Sequence, residues 1–557
     1  MASLQRRKNK GNYYWYVVES KRINGKPTPV VVAYLGTIEN ILRKFSSSES
    51  DENIKYKSYS HGAVYTLWEI AKRNNVVKIM DSILPDKKRN GLSKGTSLLL
   101  SAIHRAVQPG SKREFSEWAS RTTLPSIAGF DPEKLTSQHF WDQMDGITED
   151  MIIRMEDEIT KQLFRNYDFN MEKLALDYTN YFTYIASAND KSELAQRGHN
   201  KQKRNDLRQV SLALITTKEL MMPLCSYVYE GNTNDMTVFP KYINMLKDRL
   251  SKYNNSKDIT IIFDKGSNSK DNFELIEGLQ LSYVCSFSLN SCKELIDIPI
   301  DKYAPVNVAE KDILCYRTKK TIWGKEQECI LAFSQKLKDG QIRGLDKEIE
   351  DKIQELAELK EKLNSDKSRI SKKMADIEKR VKNIISGNHG AEIIQVEYTG
   401  KRIVKDINYS INETIYDDIC KKHFGKKLYI TDRKDWCTEE ILGAYFGQSK
   451  IEDIFKDTKD PMHFAVRPQF HWTDTKIRVH IFCCLLGLML TCLLRKELMN
   501  KGIKIENDKL IEQLSEIRET YILNPNKNKK SGFEVKKALE EMTEYQKSIW
   551  DNLQEII

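Results

Sequence analysis

Ile259-Thr260-Ile261-Ile262-Phe263-Asp264-Lys265-Gly266 is an apolar, β-branched run stopped by an acid, a base and a glycine. Its length and composition predict a buried strand. Lys173-Leu174-Ala175-Leu176-Asp177-Tyr178-Thr179 has the same character, with Asp177 in the position of Asp264. A carboxylate at the end of a buried strand costs desolvation unless a cation or hydrogen-bond donors compensate it. One such acid is often only a capped turn. Two, on separate strands, make candidate ligands for a hard divalent cation, which takes oxygen donors from several elements.

A third carboxylate comes from Tyr445 to Lys459, read Y-F-G-Q-S-K-I-E-D-I-F-K-D-T-K. Thr438-Glu439-Glu440 upstream predicts a helix start, with Thr438 as cap and two acids in the first turn. If that helix continues, Tyr445, Gln448, Glu452 and Lys459 follow at steps of three, four and seven and share one face. A phenol, an amide, a carboxylate and an ammonium on one stripe can hold a metal ion beside a phosphate. A solvated charged face is the alternative.

With these residues in place, the sequence resembles a DDE transposase of a bacterial-type insertion sequence, in the branch marked by Y-x2-R-x3-E-x6-K. The motif stands here as Tyr445, Gln448, Glu452 and Lys459, with glutamine at the arginine position. Further matching blocks are Gly198-His199-Asn200-Lys201 through Arg204-Asn205-Asp206, then Gly231-Asn232-Thr233-Asn234-Asp235, then Asp264-Lys265-Gly266. Arg467-Pro468 and Ile477-Arg478-Val479-His480 follow in the family's order. The resemblance implies a ribonuclease H-like core, catalytic and metal-binding roles for Asp177, Asp264 and Glu452, and two Mg²⁺ ions that Mn²⁺ can replace. It also implies double-stranded DNA partners (transposon ends and target), a homodimer in the DNA complex, and a cytoplasmic, nucleoid-associated protein. Tyr445, Gln448 and Lys459, with Lys201, Lys203 and Arg204 upstream, are the expected phosphate contacts. Gln448 donates hydrogen bonds without charge, so its grip on phosphate should be weaker than an arginine's.

Composition agrees with a polyanionic partner. The 557 residues carry a formal charge of +10, and residues 1–50 hold nine Lys/Arg against three Asp/Glu. Ten cysteines form no CxxC pair and no Cys/His spacing suited to zinc, which points to a reducing compartment. Nothing resembles a secretory signal, and the apolar run 481–494 reads as a buried helix, so no membrane role is expected. No GxxxxGK[ST] occurs, so no nucleotide cofactor is expected.

The expected fold is a multidomain α/β chain: a ribonuclease H-like mixed sheet with helices, interrupted by a large insertion of strands and a helical hairpin. A β-hairpin and an all-α DNA-binding region precede it. The basic hairpin module is 1–50, with Asn24-Gly25 as a type I′ turn. Its Arg and Lys residues, interleaved with Tyr13, Tyr14 and Trp15, suit a DNA backbone; packing on a neighbouring domain is the other reading. Helical periodicity marks 55–168 as the DNA-binding region. Strands at 174–178, 209–217, 224–229, 259–263 and 283–287, with helices at 238–250 and 272–279, place the first part of the core in 170–290. Within it, the loop 191–208 carries six Lys/Arg and two acids, and either guides DNA or is simply solvated.

An insertion is expected because 188 positions separate Asp264 from Glu452. It covers 291–426, with strands near 315–318, 328–333 and 393–398 and an intramolecular helical hairpin over 345–385. Trp323 or Trp436 is a candidate to stack on a displaced base. The core resumes over 427–500, and 501–557 is a C-terminal helical region with a helix over 533–557. His199 and His480 read as structural more readily than catalytic. The rival functions are a nuclease of the same fold that does not join DNA, and a transposase-derived DNA-binding protein. A carboxylate-pair glycosidase gives no reason for the basic surfaces.

Overall fold

The computed structural model describes residues 2–9, 12–23, 26–46, 54–186, 188–200, 204, 206–252, 258–365, 368–387, 389–447, 449–459, 464–466, 471–525 and 533–556. The chain forms two compact units. One gathers Met1–Tyr65, Glu117–Pro132 and Glu512–Asp551; the other holds Thr66–Ser116, Glu133–Ile511 and Asn552–Ile557. The boundaries anticipated at 50, 168 and 501 do not follow this grouping, because segments from both chain ends share one unit.

In the first unit, strands Ala2–Asn9, Asn12–Ile23 and Lys26–Gly36 form an antiparallel sheet. The expected hairpin is its second and third strands, and the Asn24-Gly25 turn lies outside the described residues. The added first strand lays cations over rings: the Arg6 guanidinium is 4.7 Å from the Tyr13 centroid, and that of Arg7 is 5.2 Å from Tyr16. A second antiparallel sheet runs Phe533–Leu539, Arg518–Pro525, Lys55–Ser60. Two expectations are corrected here. The stretch 533–557 is not one helix but a strand followed by helix Glu544–Gln554, and 55–60 is a strand rather than part of a helical module. Lys536-Lys537-Ala538-Leu539 favours helix locally, but pairing with a distant strand, as in Lys537 opposite Tyr521, decides the conformation.

The second unit is built on a nine-stranded sheet. In chain order its strands are β1 (Lys173–Phe182), β2 (Gln209–Thr217), β3 (Pro223–Glu230), β4 (Thr260–Phe263), β5 (Ser282–Phe287), β6 (Ala304–Val308), β7 (Lys311–Ile322), β8 (Lys325–Phe333) and β9 (Lys426–Thr431). Their order across the sheet is β6-β7-β8-β9-β5-β4-β1-β2-β3. The first three strands form an antiparallel meander, and β4 and β5 run parallel to β1. A parallel strand at the centre must be apolar on both faces, and all four residues of β4 are buried. The strands expected near 315–318 and 328–333 inside a separate insertion belong to β7 and β8 and, with the unexpected edge strand β6, instead extend this sheet through β9.

What does stand apart is a helical arm. Helices Gln335–Asn364 and Met374–Ile385 pack as the expected intramolecular pair, with a small sheet of Ile394–Thr399 and Asp406–Ile411. Leu356, Leu359, Leu363, Ile377, Val381, Ile394, Val404 and Ile407 form their own core. Helix Asp474–Asn500 is long and apolar enough to cross a membrane by length and composition, and 94% of its most apolar stretch is buried within the protein. Gly487 is its contact point with helix Lys94–Val107: a Cβ there would lie 2.7 Å from the Ala102 carbonyl oxygen.

Candidate active site

The two aspartates follow paired residues of neighbouring parallel strands. Parallel pairing sets Ala175 of β1 opposite Ile262 of β4. Asp177 follows Ala175 by two residues within β1, and Asp264 follows Ile262 by two, one residue beyond the end of β4. Asp264 is the first residue beyond β4, in extended conformation, and begins the turn Lys265–Ser267.

The side chains around Asp264 keep it charged. Ser286 of β5 and Tyr445 both donate hydroxyl hydrogen bonds to its Oδ1, the latter at 3.0 Å. Lys427 of β9 places its Nζ 3.5 Å from the Tyr445 hydroxyl and 4.9 Å from that ring's centroid. Burial works to raise the Asp264 carboxyl, but the bonds from Ser286, the Lys265 amide and Tyr445, with the Lys427 charge, outweigh it and hold it below the usual range. Burial conversely lowers the Lys427 ammonium, against the pull of Asp264 and Glu452. Asp177 accepts a 2.8 Å hydrogen bond from the Tyr178 amide, and its charge reaches the Tyr178 phenol.

Glu452 arrives on a different helix from the one expected. The helix from Thr438 ends at Phe446, with Cys437 rather than Thr438 at its cap position and Glu440 accepting from the Cys437 amide at 3.1 Å. At the other end the Gly443 carbonyl accepts from the Gly447 amide at 3.2 Å and from Lys218 at 2.7 Å. A second helix, Ser449–Asp457, carries Glu452 exposed while Ile451, Ile454 and Phe455 are buried. It packs on β1 and is tied there by a 2.8 Å bond between the Thr458 and Tyr181 hydroxyls. The single stripe is therefore corrected: Tyr445 and Glu452 belong to two helices, and Lys459 follows the second, its Nζ 5.9 Å from the Tyr181 ring. Gln448 lies outside the described residues.

The Tyr445 hydroxyl, expected on a phosphate, is engaged with Asp264. Tyr445→Phe keeps the ring in the core and removes one donor. A carboxyl with a depressed folded pKa adds stability above its unfolded pKa, lost as pH falls through the folded one. In the variant that loss should begin at a higher pH, which urea unfolding between about pH 3 and 6 reads out. Coincident acid limbs would show that this bond does not set the Asp264 charge.

The motif blocks upstream meet as a scaffold. A Cβ on Gly198 would lie 2.2 Å from the Gly231 carbonyl oxygen, and buried Gln209 donates to His199 and Gly231 carbonyls at 3.1 and 2.7 Å. Asn234 caps the following helix, accepting from the Met236 amide at 3.0 Å. Arg204, an expected phosphate contact, is held bidentately by Asp206, both bonds 2.8 Å, and this pairing pulls Asp206 down to about 2. Lys201 and Lys203 lie outside the described residues. Trp323 packs its edge on Phe273 and Phe287 at 5.1 and 5.5 Å, and Trp436 lies under Lys173 at 4.4 Å. His480 is buried and kept neutral by desolvation, its Nε2 3.0 Å from the Val466 carbonyl; His199 is exposed.

Among the described residues, no three His, Cys, Asp or Glu side chains are grouped as a metal ion needs. Asp177 and Asp264 offer hard oxygen donors, which suit a divalent cation; Glu452 is not grouped with them. Sequence reasoning missed Ser286 and Lys427. Lys427 was marked only by a Lys-Lys pair opening an apolar strand, Lys426-Lys427-Leu428-Tyr429-Ile430.

The sequence matches no known protein family and no curated protein. Among solved structures, the chain is similar to piggyBac transposase in its synaptic complex with hairpin DNA, with a TM-score of 0.37 and 9% identity over 81% of this chain and 78% of that one. A likeness at that level adds no weight to a functional assignment, which rests on the residues above.

Proposed function

We propose that the chain is an insertion-sequence transposase that cuts and joins double-stranded DNA by phosphoryl transfer, with Asp177, Asp264 and Glu452 as its carboxylates. What supports this reading is the parallel pairing of Ala175 with Ile262, each two residues before an aspartate, together with Lys427, whose ammonium feels the charges of both Asp264 and Glu452. The order β3-β2-β1-β4-β5, antiparallel then parallel, supports a ribonuclease H-like core that β6 to β9 extend.

Two Mg²⁺ ions, or Mn²⁺ in their place, held by the three carboxylates would activate a water or DNA 3′-hydroxyl and stabilise the leaving oxygen. The protein's own part is positional and electrostatic. Ser286 and Tyr445 keep Asp264 ionised, so a cation displaces no proton from it. The tie between Thr458 and Tyr181 fixes the Glu452 helix to the Asp177 strand. Lys459 pairs with a phosphate near the cut, and the loop 191–208 adds further phosphate contacts. The active form is a homodimer on DNA, in the cytoplasm and associated with the nucleoid.

A second reading, a transposase-derived DNA-binding protein without cleavage, is favoured by one observation: the three carboxylates are not grouped as a metal needs. Labelled duplexes from either side of the coding sequence separate the two. With Mg²⁺ the protein should give nicked and joined products, and EDTA should remove both. Binding with neither product, in Mg²⁺ or Mn²⁺, establishes the second reading and rejects the first. Nicks without joined products assign a nuclease.

A further inference from the structure

Strand β9 carries a cation to the neighbourhood of the carboxylates. Tyr429 pairs with Ser286 of β5, whose hydroxyl bonds Asp264, and Lys427 stands two residues back along β9 on the same face as Tyr429. The Tyr429 and Tyr445 rings lie 4.5 Å apart, and the Lys427 Nζ sits over both, 5.5 and 4.9 Å from their centroids. From there it reaches the Tyr445 hydroxyl at 3.5 Å, and that hydroxyl donates onward to Asp264 at 3.0 Å. Among the described residues no carboxylate pairs with Lys427 directly, so the ammonium stands one phenol away from Asp264.

This placement serves charge balance more than packing. A lysine that only covered the two rings could turn its head to water. Here the head is turned to the hydroxyl that bonds Asp264, while the side chain as a whole stays exposed and open to small ions. Asp264 and Glu452 both pull on its charge, and Lys427 in turn helps to keep Asp264 ionised. Two carboxylates brought to one site from separate elements repel each other unless a cation offsets them. A fixed positive charge that does so also repels any second cation arriving at the same oxygens.

We propose that Lys427 is the built-in counter-cation of the carboxylate site: it offsets Asp264 and Glu452 and, by staying beside them, weakens the site's hold on a divalent ion. The divalent half of this inference rests on the function proposed above; the charge compensation does not. Lys427 acts through its field and through Tyr445, so it is a positioning residue.

The test uses the full chain without DNA, with Mn²⁺ affinity read from the electron paramagnetic resonance of the free ion. A unit charge about 7 Å from a divalent ion, at an effective dielectric constant of about 40 to 80, changes its affinity roughly fivefold to fiftyfold. K427M, which keeps the stem over the two rings, should therefore bind Mn²⁺ tighter than wild type by that factor, and K427Q likewise. K427R, which keeps the charge, should stay within about twofold of wild type. So should K421Q, which removes a cation already paired with Asp417. A merely structural lysine predicts the opposite sign, since its loss would loosen the site. In EDTA, K427M should lower the urea unfolding midpoint, and should do so by less in D264N, where one of the two charges it offsets is gone. Equal or weaker Mn²⁺ binding by K427M and K427Q overturns the proposal; weaker duplex binding in EDTA alongside it would make Lys427 a phosphate contact instead. If neither wild type nor the variants bind Mn²⁺, the metal-dependent function is rejected and the EDTA comparison alone decides. There, a loss as large in D264N as in wild type overturns the counter-cation, and a smaller one keeps it.

Discussion

Asp264→Asn is expected to reduce nicking and joining by about a thousandfold or more while leaving end binding within about twofold. An asparagine oxygen can still accept from Ser286 and Tyr445, so the local fold has no reason to change. What disappears is the negative charge beside Asp177, and with it the attraction for a divalent ion. Asp177→Asn and Glu452→Gln should each give the same phenotype. Doubles should be little worse than singles, because ligands of one site act as a unit. A gel that resolves bound, nicked and joined DNA for each variant checks all of this. If Asp264→Asn joins ends near the wild-type rate, or if the reductions multiply across the three, the carboxylates are not one site.

Arg249→Leu is expected to cost about 3 to 5 kcal/mol of stability. Arg249 is buried at the end of helix Asp235–Ser251, where its guanidinium meets Glu156 at 3.4 Å, Asp157, and the Leu224 carbonyl. Removing it leaves Glu156 in a dry site where Ser226 is the remaining donor among the described residues. Burial already raises the Glu156 carboxyl despite Arg249. A raised carboxyl contributes stability below its unfolded pKa and loses it as pH rises through the folded one. Without Arg249 that folded pKa climbs further. The deficit should be largest at pH 7 to 8 and shrink toward about pH 5, as Glu156 takes up a proton. Adding Glu156→Gln should recover part of it at neutral pH. Urea midpoints across that range report the effect; a deficit independent of pH would mean that poorer packing, not a stranded charge, dominates.

The sheet was legible where local pattern and burial agree. The apolar runs before Asp177 and Asp264 form buried strands as expected, and β2 is found at the expected residues. Three features were hidden because long-range contacts decide them. The strand at Phe533–Leu539 is written in helix-forming residues and is set by its partner strand. The strands β6 to β8 looked like a separate insertion because sequence does not state which sheet a strand joins. The break at Gly447 was masked by a spacing of three, four and seven that one helix satisfies equally well. At the candidate site both aspartates could be read, since acids in apolar runs are conspicuous, but only Asp264 stands at a strand end: β1 continues past Asp177 to Phe182, held by its pairing with β2. Ser286 and Lys427 could not, because a polar residue at a strand edge is ordinary until its neighbour is known.

Strand Lys55–Ser60 pairs residue for residue with Arg518–Pro525, segments that lie at opposite ends of the chain. At about 5–20 residues per second, the ribosome releases the second partner roughly 25 to 90 seconds after the first. Until then the early strand has an unfilled edge, the kind of surface that pairs with the wrong chain. The unit containing the most basic N-terminal residues is thus one of the last parts to be completed. A product terminated before Arg518 would carry the 2–36 sheet with its cations but leave Lys55–Ser60 without its partner strand.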